Sequence, residues 1–319
     1  MTIARMRRHV LLIGALVVAA GLYGVWTPDL DREELLHRYG TPSQRVVEVD
    51  GLRIHYQDAG PPDAPAVLLL HGFGSSLQTW DAWTPQLALK YRVIRMDLPG
   101  FGLTGESPTH NYSEGQDLAT LVGFVNTLNL SNYSVVGHSM GGKMAWSLAA
   151  AQPERVQALV LMAPDGFSPQ SQWGTKPYEV PAVMGLMKYA LPKYFVRGFL
   201  EAAYADPQQL TDSLVTRYHD MLRAPGVRAA ILARADQTVS TDPIARLKQI
   251  KAPTLLLWGE QDQMIPSSNA ASYAAVLPLA RAVVLPKLGH VLQEERPDIG
   301  LAKVETFLSD HLPAGPRAP

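Results

Sequence analysis

The pentapeptide Gly-His-Ser-Met-Gly at residues 137–141 has the strongest chemical implication in this sequence. It follows an apolar run at 133–136 and precedes a helical pattern at 140–151. A strand that turns at once into a helix leaves no room for side chains two residues either side of its apex, which explains both glycines. The turn would expose the Ser139 hydroxyl and place the Met140 N–H at a helix N-terminus, where it can stabilise an oxyanion. The pattern predicts Ser139 as a nucleophile.

Two polar residues late in the chain can complete a catalytic triad with this serine. Asp262 follows the apolar run at 254–258, and His290 follows the last predicted strand. A histidine there can act as the base that takes the serine proton, and an aspartate can orient its ring. Asp165, which follows the run at 158–162, is an alternative acid. The chain order Ser, Asp, His is kept with either carboxylate.

A second oxyanion donor is predicted in the His-Gly-Phe-Gly turn at 71–74, which follows the apolar run at 66–70. Its glycines allow the backbone N–H of Phe73 to point at the developing charge. His71 and His138 are interpreted as structural, and Asp97 as a brace for its loop. Glu294 and Glu295 are interpreted as the solvated start of a helix.

Short β-branched runs alternate with helical patterns from residue 46 onward, which predicts βα units and a mainly parallel sheet flanked by helices. Between residues 164 and 250 the strand signal disappears, and helical spacing interrupted by prolines predicts a helical cap inserted between two strands. The predicted strands are 46–49, 52–57, 66–70, 93–96, 133–136, 158–162, 254–258 and 282–285, and the predicted helices outside the cap are 116–128, 140–151, 269–276 and 299–312.

These motifs together resemble the α/β-hydrolase superfamily, in particular bacterial membrane-anchored or secreted esterases and lipases with a helical cap. The matching segments are 71–74, 97–102, 137–142, 258–262 and 289–290. The resemblance implies an α/β-hydrolase fold and a triad of Ser139, His290 and Asp262, and it favours Asp262 over Asp165 as the acid. Lys143 directly follows Gly141 and Gly142. It departs from the family pattern, and the sequence suggests no role for it.

Composition and spacing point away from other classes of protein. A net charge of −1 gives no overall attraction to nucleic acid, and the absence of cysteine excludes disulfides and thiolate metal sites. The histidines show no metal-ligand spacing. A G-x-G-x-x-G pattern at 100–105 runs into Pro108 instead of a helix, and a near P-loop at 137–143 carries Met144 where Ser or Thr is needed. No cofactor or metal is expected.

The N-terminus has the charge order of a signal sequence or a signal-anchor. Three arginines at positions 5, 7 and 8 precede an uncharged apolar run at 10–26, and acidic residues follow it. An uncleaved anchor is favoured. Cleavage after Ala20 and burial as a core helix are the alternatives. Both an uncleaved anchor and a cleaved signal sequence would place the catalytic part outside the cytoplasm, in the periplasm or extracellular space.

The predicted organisation is a signal or anchor at 1–26, a linker at 27–45, a first core part at 46–164, a cap at 165–250, a second core part at 251–312 and a flexible tail at 313–319. The expected activity is hydrolysis of carboxylic esters, with a small-molecule or lipid ester as substrate and the membrane as a partner. Its alternatives are a carbon–carbon bond hydrolase, which would need a cap arginine for its substrate carboxylate, and a non-catalytic membrane-tethered binding protein. Acyl chain length and oligomeric state do not follow from the sequence.

Overall fold

The computed structural model describes residues 25–167, 177 and 179–313, together with residues 14 and 21. The strands in these ranges are β1 (Gln44–Val49), β2 (Leu52–Ala59), β3 (Ala66–Leu70), β4 (Arg92–Met96), β5 (Tyr133–His138), β6 (Val156–Met162), β7 (Thr254–Gly259) and β8 (Ala280–Leu285). The α-helices are α1 (Arg32–Tyr39), α2 (Thr84–Leu87), α3 (Glu114–Thr127), α4 (Met140–Ala151), α5 (Lys193–Ala203), α6 (Asp212–Leu222), α7 (Val227–Ala235), α8 (Ile244–Leu247), α9 (Asn269–Val276), α10 (Leu292–Glu295) and α11 (Pro297–His311). Short 3₁₀ helices span Leu77–Trp80, Ala182–Lys188 and Pro207–Gln209.

The strands form one sheet in the order β1-β2-β4-β3-β5-β6-β7-β8. Strands β1 and β2, which correspond to the predicted strands 46–49 and 52–57, form a hairpin. Both turn residues, Asp50 and Gly51, have positive φ, as a tight hairpin turn requires. β2 also runs antiparallel to β4, whereas every pair from β4 to β8 is parallel. The prediction of an α/β-hydrolase fold with a mainly parallel sheet is confirmed.

The hydrophobic core covers both faces of the sheet. Successive residues of β3 point to opposite faces, so Leu68 packs in one apolar cluster and Leu69 in the other. Both side chains are fully buried, and truncating either to alanine should cost about 2–5 kcal/mol. Helix α4 packs against β5 and α11 against β6 and β7. The parallel strands therefore have their carboxyl ends at the same end of the sheet, and the turns that carry Ser139 and Asp262 follow them.

The cap lies between β6 and β7, and no strand occurs in its described part. It has a small apolar core of its own, which includes Leu200, Val215 and Tyr218, and Val291 from the turn after β8 packs into it. The cap is thus attached to the same turn that carries His290.

The segment predicted as a linker contains helix α1, whose Leu35 is fully buried in the main core. The predicted membrane segment at 1–26 and the predicted tail lie almost wholly outside the described residues. Among the residues that are described, no helix has the length and apolar character needed to cross a bilayer.

Candidate active site

Ser139 occupies the sharp turn between β5 and α4. Its φ of 54° and ψ of −121° are unusual for a residue with a side chain, and such strain is a feature of functional turns. A Cβ on Gly137 would collide with the Gly141 carbonyl oxygen, and one on Gly141 would collide with the carbonyls of Leu70 and His71. The two glycines are therefore required by close packing of this turn, as the sequence predicts.

His290 and Asp262 form a buried pair. The Nδ1 atom of His290 lies 2.8 Å from Oδ2 of Asp262, and the histidine is 3% exposed. The other carboxylate oxygen accepts hydrogen bonds from the backbone N–H groups of Met264 and Ile265, at 2.8 and 2.9 Å. Because a carboxylate oxygen accepts, Nδ1 carries the proton and donates it, which leaves the Nε2 lone pair available as a base.

Asp165, the alternative acid, has a different place. Its backbone N–H donates to the Ser139 carbonyl at 3.1 Å. Its own carbonyl accepts from the side chains of Trp146 and Tyr273 at 3.0 and 2.9 Å. Asp165 also lines the cavity in front of Ser139. The carboxylate bonded to His290 is that of Asp262.

The turn at 71–74 lies directly against the serine, since a Cβ on Gly72 would stand 3.2 Å from the Cβ of Ser139. His71 holds this turn, because its Nδ1 donates to the Gly72 carbonyl and its Nε2 accepts from the Leu98 N–H. Among the described residues, no acceptor is bonded to the N–H of Phe73. The same holds for the Met140 N–H, which starts helix α4. Both donors can therefore serve an incoming oxyanion.

His138 packs beside His290. Its ring centroid is 4.6 Å from that of His290, and its Nε2 donates to the His290 carbonyl at 2.9 Å. Full burial, and then the neighbouring His290, hold the pKa of His138 well below its usual value, so its ring is neutral. His138 thus fixes the backbone of His290 without adding a charge beside it.

Asp97 braces the loops that support the oxyanion turn, which agrees with its interpretation from the sequence. It accepts from the N–H groups of Leu77 and Leu103, both at 2.8 Å, and from the ring of His55 at 2.8 Å. Burial alone would raise the pKa of this carboxyl, but the bond to His55 and the other donors outweigh that effect and hold the pKa below its usual value.

Glu295 is buried, so its interpretation as part of a solvated helix start was wrong. One carboxylate oxygen accepts from the Gly289 N–H at 2.7 Å. The other accepts from the N–H groups of Ala205 and Asp206, at 2.9 and 3.1 Å. The side chain therefore joins the turn before His290 to the cap segment after α5. No short-range pattern in the sequence marks this role.

Glu294 is also largely removed from solvent, so the solvated interpretation was wrong for it as well. It pairs with Arg217, and the hydroxyl of Tyr218 donates to it at 3.2 Å. Both partners lie on α6 of the cap. The two glutamates together connect the cap to the loop that carries His290.

A cavity of about 360 Å³ opens in front of Ser139. It is lined mainly by apolar atoms, and Phe73, Met140 and Ile265 contribute to its wall. Lys143 lines it one helical turn after Ser139, and its ammonium group lies 3.3 Å from a Glu114 carboxylate oxygen. Within the described part of the chain, no cluster of three or more histidine, aspartate or glutamate side chains is placed to hold a metal ion.

The six arginines of the cap, which could recognise a substrate carboxylate, are already bonded, and Arg246 pairs with Glu114. Arg197, Arg217, Arg228 and Arg234 pair with the carboxylates of Asp212, Glu294, Asp29 and Asp117, and Arg223 donates to the Pro28 carbonyl. Arg234 is the one among them that lines the cavity, where both of its terminal nitrogens bond Asp117. Its positive charge is therefore neutralised at short range.

Comparison with known proteins agrees with this geometry. The chain is 29% identical to the uncharacterized hydrolase YugF of Bacillus subtilis, over 83% of this chain and 97% of that protein. It is 32% identical to a 2-hydroxy-6-oxononadienedioate/2-hydroxy-6-oxononatrienedioate hydrolase of Comamonas testosteroni, over 78% and 89%. The crystal structure of a membrane phospholipase A superposes with a TM-score of 0.73 at 27% identity, over 96% and 98%. A sequence profile of the alpha/beta hydrolase fold matches residues 65–297, and the chain belongs to this family.

Proposed function

We propose that this hydrolase cleaves carboxylic esters through a Ser139–His290–Asp262 triad and an acyl-enzyme intermediate. The observation that carries the proposal is the buried His290–Asp262 hydrogen bond, with His290 packed against the residue that precedes Ser139 in its strained strand-to-helix turn. A binding protein would need neither feature, because both serve to activate a hydroxyl group.

The proposed reaction proceeds in two acyl transfers. His290 takes the Ser139 proton, and Oγ attacks the ester carbonyl while the N–H groups of Phe73 and Met140 stabilise the oxyanion. The protonated ring then donates to the leaving alcohol, and Asp262 stabilises its positive charge. Water, activated by the same histidine, attacks the acyl-enzyme and releases the acid. All of these steps use side chains and backbone groups of the chain itself.

An ester is favoured as the substrate because the cavity wall is mainly apolar and the cap arginines are already bonded. Similarity to a membrane phospholipase A over nearly the whole chain supports a lipid-like ester. Kinetics with p-nitrophenyl esters of increasing acyl length test this proposal. We expect a higher kcat/KM for medium chains than for acetate, because a longer chain buries more apolar surface. No hydrolysis of any ester in the series would refute the proposed activity.

A carbon–carbon bond hydrolase is the second candidate, and Lys143 is the observation that favours it. This cation lines the catalytic cavity and could bind the carboxylate of a substrate such as that named for the Comamonas testosteroni relative. Its pairing with Glu114 weakens the case, since a carboxylate ligand would have to compete with that residue. Turnover of a 2-hydroxy-6-oxo-dienoate that exceeds turnover of every ester, and is lost in Lys143→Met, would decide for this candidate.

We also propose that the catalytic part lies outside the cytoplasm, held or exported by residues 1–26. The arginine cluster before an uncharged apolar run supports this orientation. Alkaline phosphatase fused after Pro42 should be active in a bacterial host, because this reporter works only outside the cytoplasm. An inactive phosphatase fusion together with an active cytoplasmic reporter at the same position would reverse the topology.

A further inference from the structure

The cap carries an exposed apolar face that is unusual for a soluble surface. Tyr194 is 67% exposed, Val183 66% and Leu186 61%. The remaining exposed members of this face, which we call the cap face, are Met184, Tyr189, Phe195 and Phe199. Most of them line a groove of about 590 Å³ whose wall is almost entirely apolar. Among the described aromatic side chains of the cap, Tyr204 and Tyr218 are packed in the cap core, whereas those of the cap face are exposed.

The apolar N-terminal run of the sequence ends at the cap face. Val25 lines the same groove, and the Trp26 ring stacks on Tyr189 with centroids 5.7 Å apart. The next residue, Thr27, donates its N–H to the Tyr189 carbonyl at 2.9 Å. Residues 25–27, which include the last two residues of the uncharged run at 10–26, are thus fixed to the cap.

The groove also reaches the catalytic machinery. Phe73, whose N–H is a proposed oxyanion donor, lines both the groove and the cavity in front of Ser139. Helix α7 contributes Ile231 to the groove and Arg234 to the cavity. The groove of the cap face and the cavity in front of Ser139 are therefore adjacent and share the Phe73 side chain.

We propose that the cap face binds the surface of a lipid bilayer. A contiguous set of exposed tyrosine, phenylalanine, leucine and methionine side chains fits the boundary between headgroups and acyl chains, where aromatic rings are favoured. Two exposed lysines beside the face, Lys188 and Lys193, suit contact with anionic headgroups. Val25 and Trp26, the last residues of the uncharged run predicted to enter a membrane, lie in this face, which favours a bilayer over a second copy of the chain as its occupant. This binding does not depend on the ester chemistry proposed above.

Because the chain contains no cysteine, a single probe can report on this contact. Full-length Leu186→Cys and Phe195→Cys, each labelled with an environment-sensitive fluorophore, are reconstituted with vesicles of phosphatidylcholine and phosphatidylglycerol. The matched controls are Leu89→Cys and Leu279→Cys, which are similarly exposed. They lie just before β4 and β8, at the amino ends of the parallel strands, whereas the proposed catalytic turns lie at the carboxyl ends. Nitroxide groups on the lipid acyl chains then quench only those probes that enter the bilayer.

We expect quenching at 186 and 195 to be at least about twofold stronger than at the control positions, because an interfacial face enters the acyl region by roughly 5–10 Å. Equal quenching at all four positions, or none at any of them, would overturn the proposal. A blue-shifted emission at 195 that lipid nitroxides do not quench would place protein on the face, which would also overturn it in favour of a second copy.

Discussion

Ser139 is held in a strained conformation by glycines that tolerate no side chain, and His290 is held by three separate contacts. Its Nδ1 meets Asp262, its carbonyl accepts from His138, and its N–H donates to the Ala203 carbonyl at 2.7 Å. Such fixation reduces the reorganisation needed when charge develops at the active site. The single residues therefore matter through their geometry as much as through their chemical type.

The assignment of the acid can be tested with a pair of matched substitutions. Asp262→Asn should lower kcat by about 10²- to 10⁴-fold, since the amide can hold the imidazole in the wrong tautomer. Asp165→Asn should be much milder, because that carboxylate does not bond His290. Steady-state kinetics with circular dichroism of each variant measure this difference. Near wild-type turnover in Asp262→Asn, with loss of activity in a folded Asp165→Asn, would move the acid to Asp165.

The role of a residue could be predicted from the sequence when the residues that define that role lie close together in the chain. The Ser139 turn is specified within five residues, because its glycines and flanking strand and helix are contiguous. The role of Glu295 is not local, because its three N–H donors come from the His290 turn and from the end of a cap helix some 90 residues earlier in the chain. Only folding brings them together.

At the scale of elements, the buried strands and amphipathic helices were predicted closely. Helices α4 and α9 and strand β3 have the same limits in sequence and structure, because each is bounded by sharp changes in apolar pattern. Helix α1 was missed because it is short and buries one leucine, although Asp31 caps its N-terminus and Gly40 follows its end. Tertiary contact, more than local pattern, stabilises that helix.

Glu295 permits a test of how the cap and the catalytic loop are joined. Glu295→Gln replaces one accepting oxygen by a donor that faces N–H groups, so we expect a loss of about 1–3 kcal/mol in the free energy of unfolding. A lower kcat should accompany it, because the Gly289–His290 turn loses its support. Asp298→Asn, which alters an exposed ion pair, is the control and should change stability far less than Glu295→Gln. Unchanged stability and kcat in Glu295→Gln would show that these bonds do not position His290.

At the scale of the whole molecule, stability should depend on pH through buried histidines. Burial lowers the pKa of His71 and of His138 below the ordinary value. These two histidines bind protons near pH 6.5 in the unfolded chain but not in the folded chain. The protein therefore loses stability as pH falls below about 6.5. Each such histidine contributes a slope of up to about 1.4 kcal/mol per pH unit.

Urea unfolding between about pH 5 and 6.5 measures this slope. His138→Gln should reduce it, since it removes one of the buried neutral rings, and substitution of the exposed His37 with asparagine is the control. A slope that is the same in His138→Gln as in the parent protein would mean that His138 binds its proton over the same pH range in the folded and unfolded states.

The most direct test of the account is covalent labelling with a fluorophosphonate, which reacts only with an activated serine. We expect a single phosphonylated residue, Ser139, located by mass spectrometry of the digested protein, with no labelling of Ser139→Ala. His290→Ala should label slower by about a thousandfold or more, because the serine loses its base. Wild-type protein that is folded but unlabelled, or equal labelling of Ser139→Ala, would contradict the central claim that Ser139 is the nucleophile of this hydrolase.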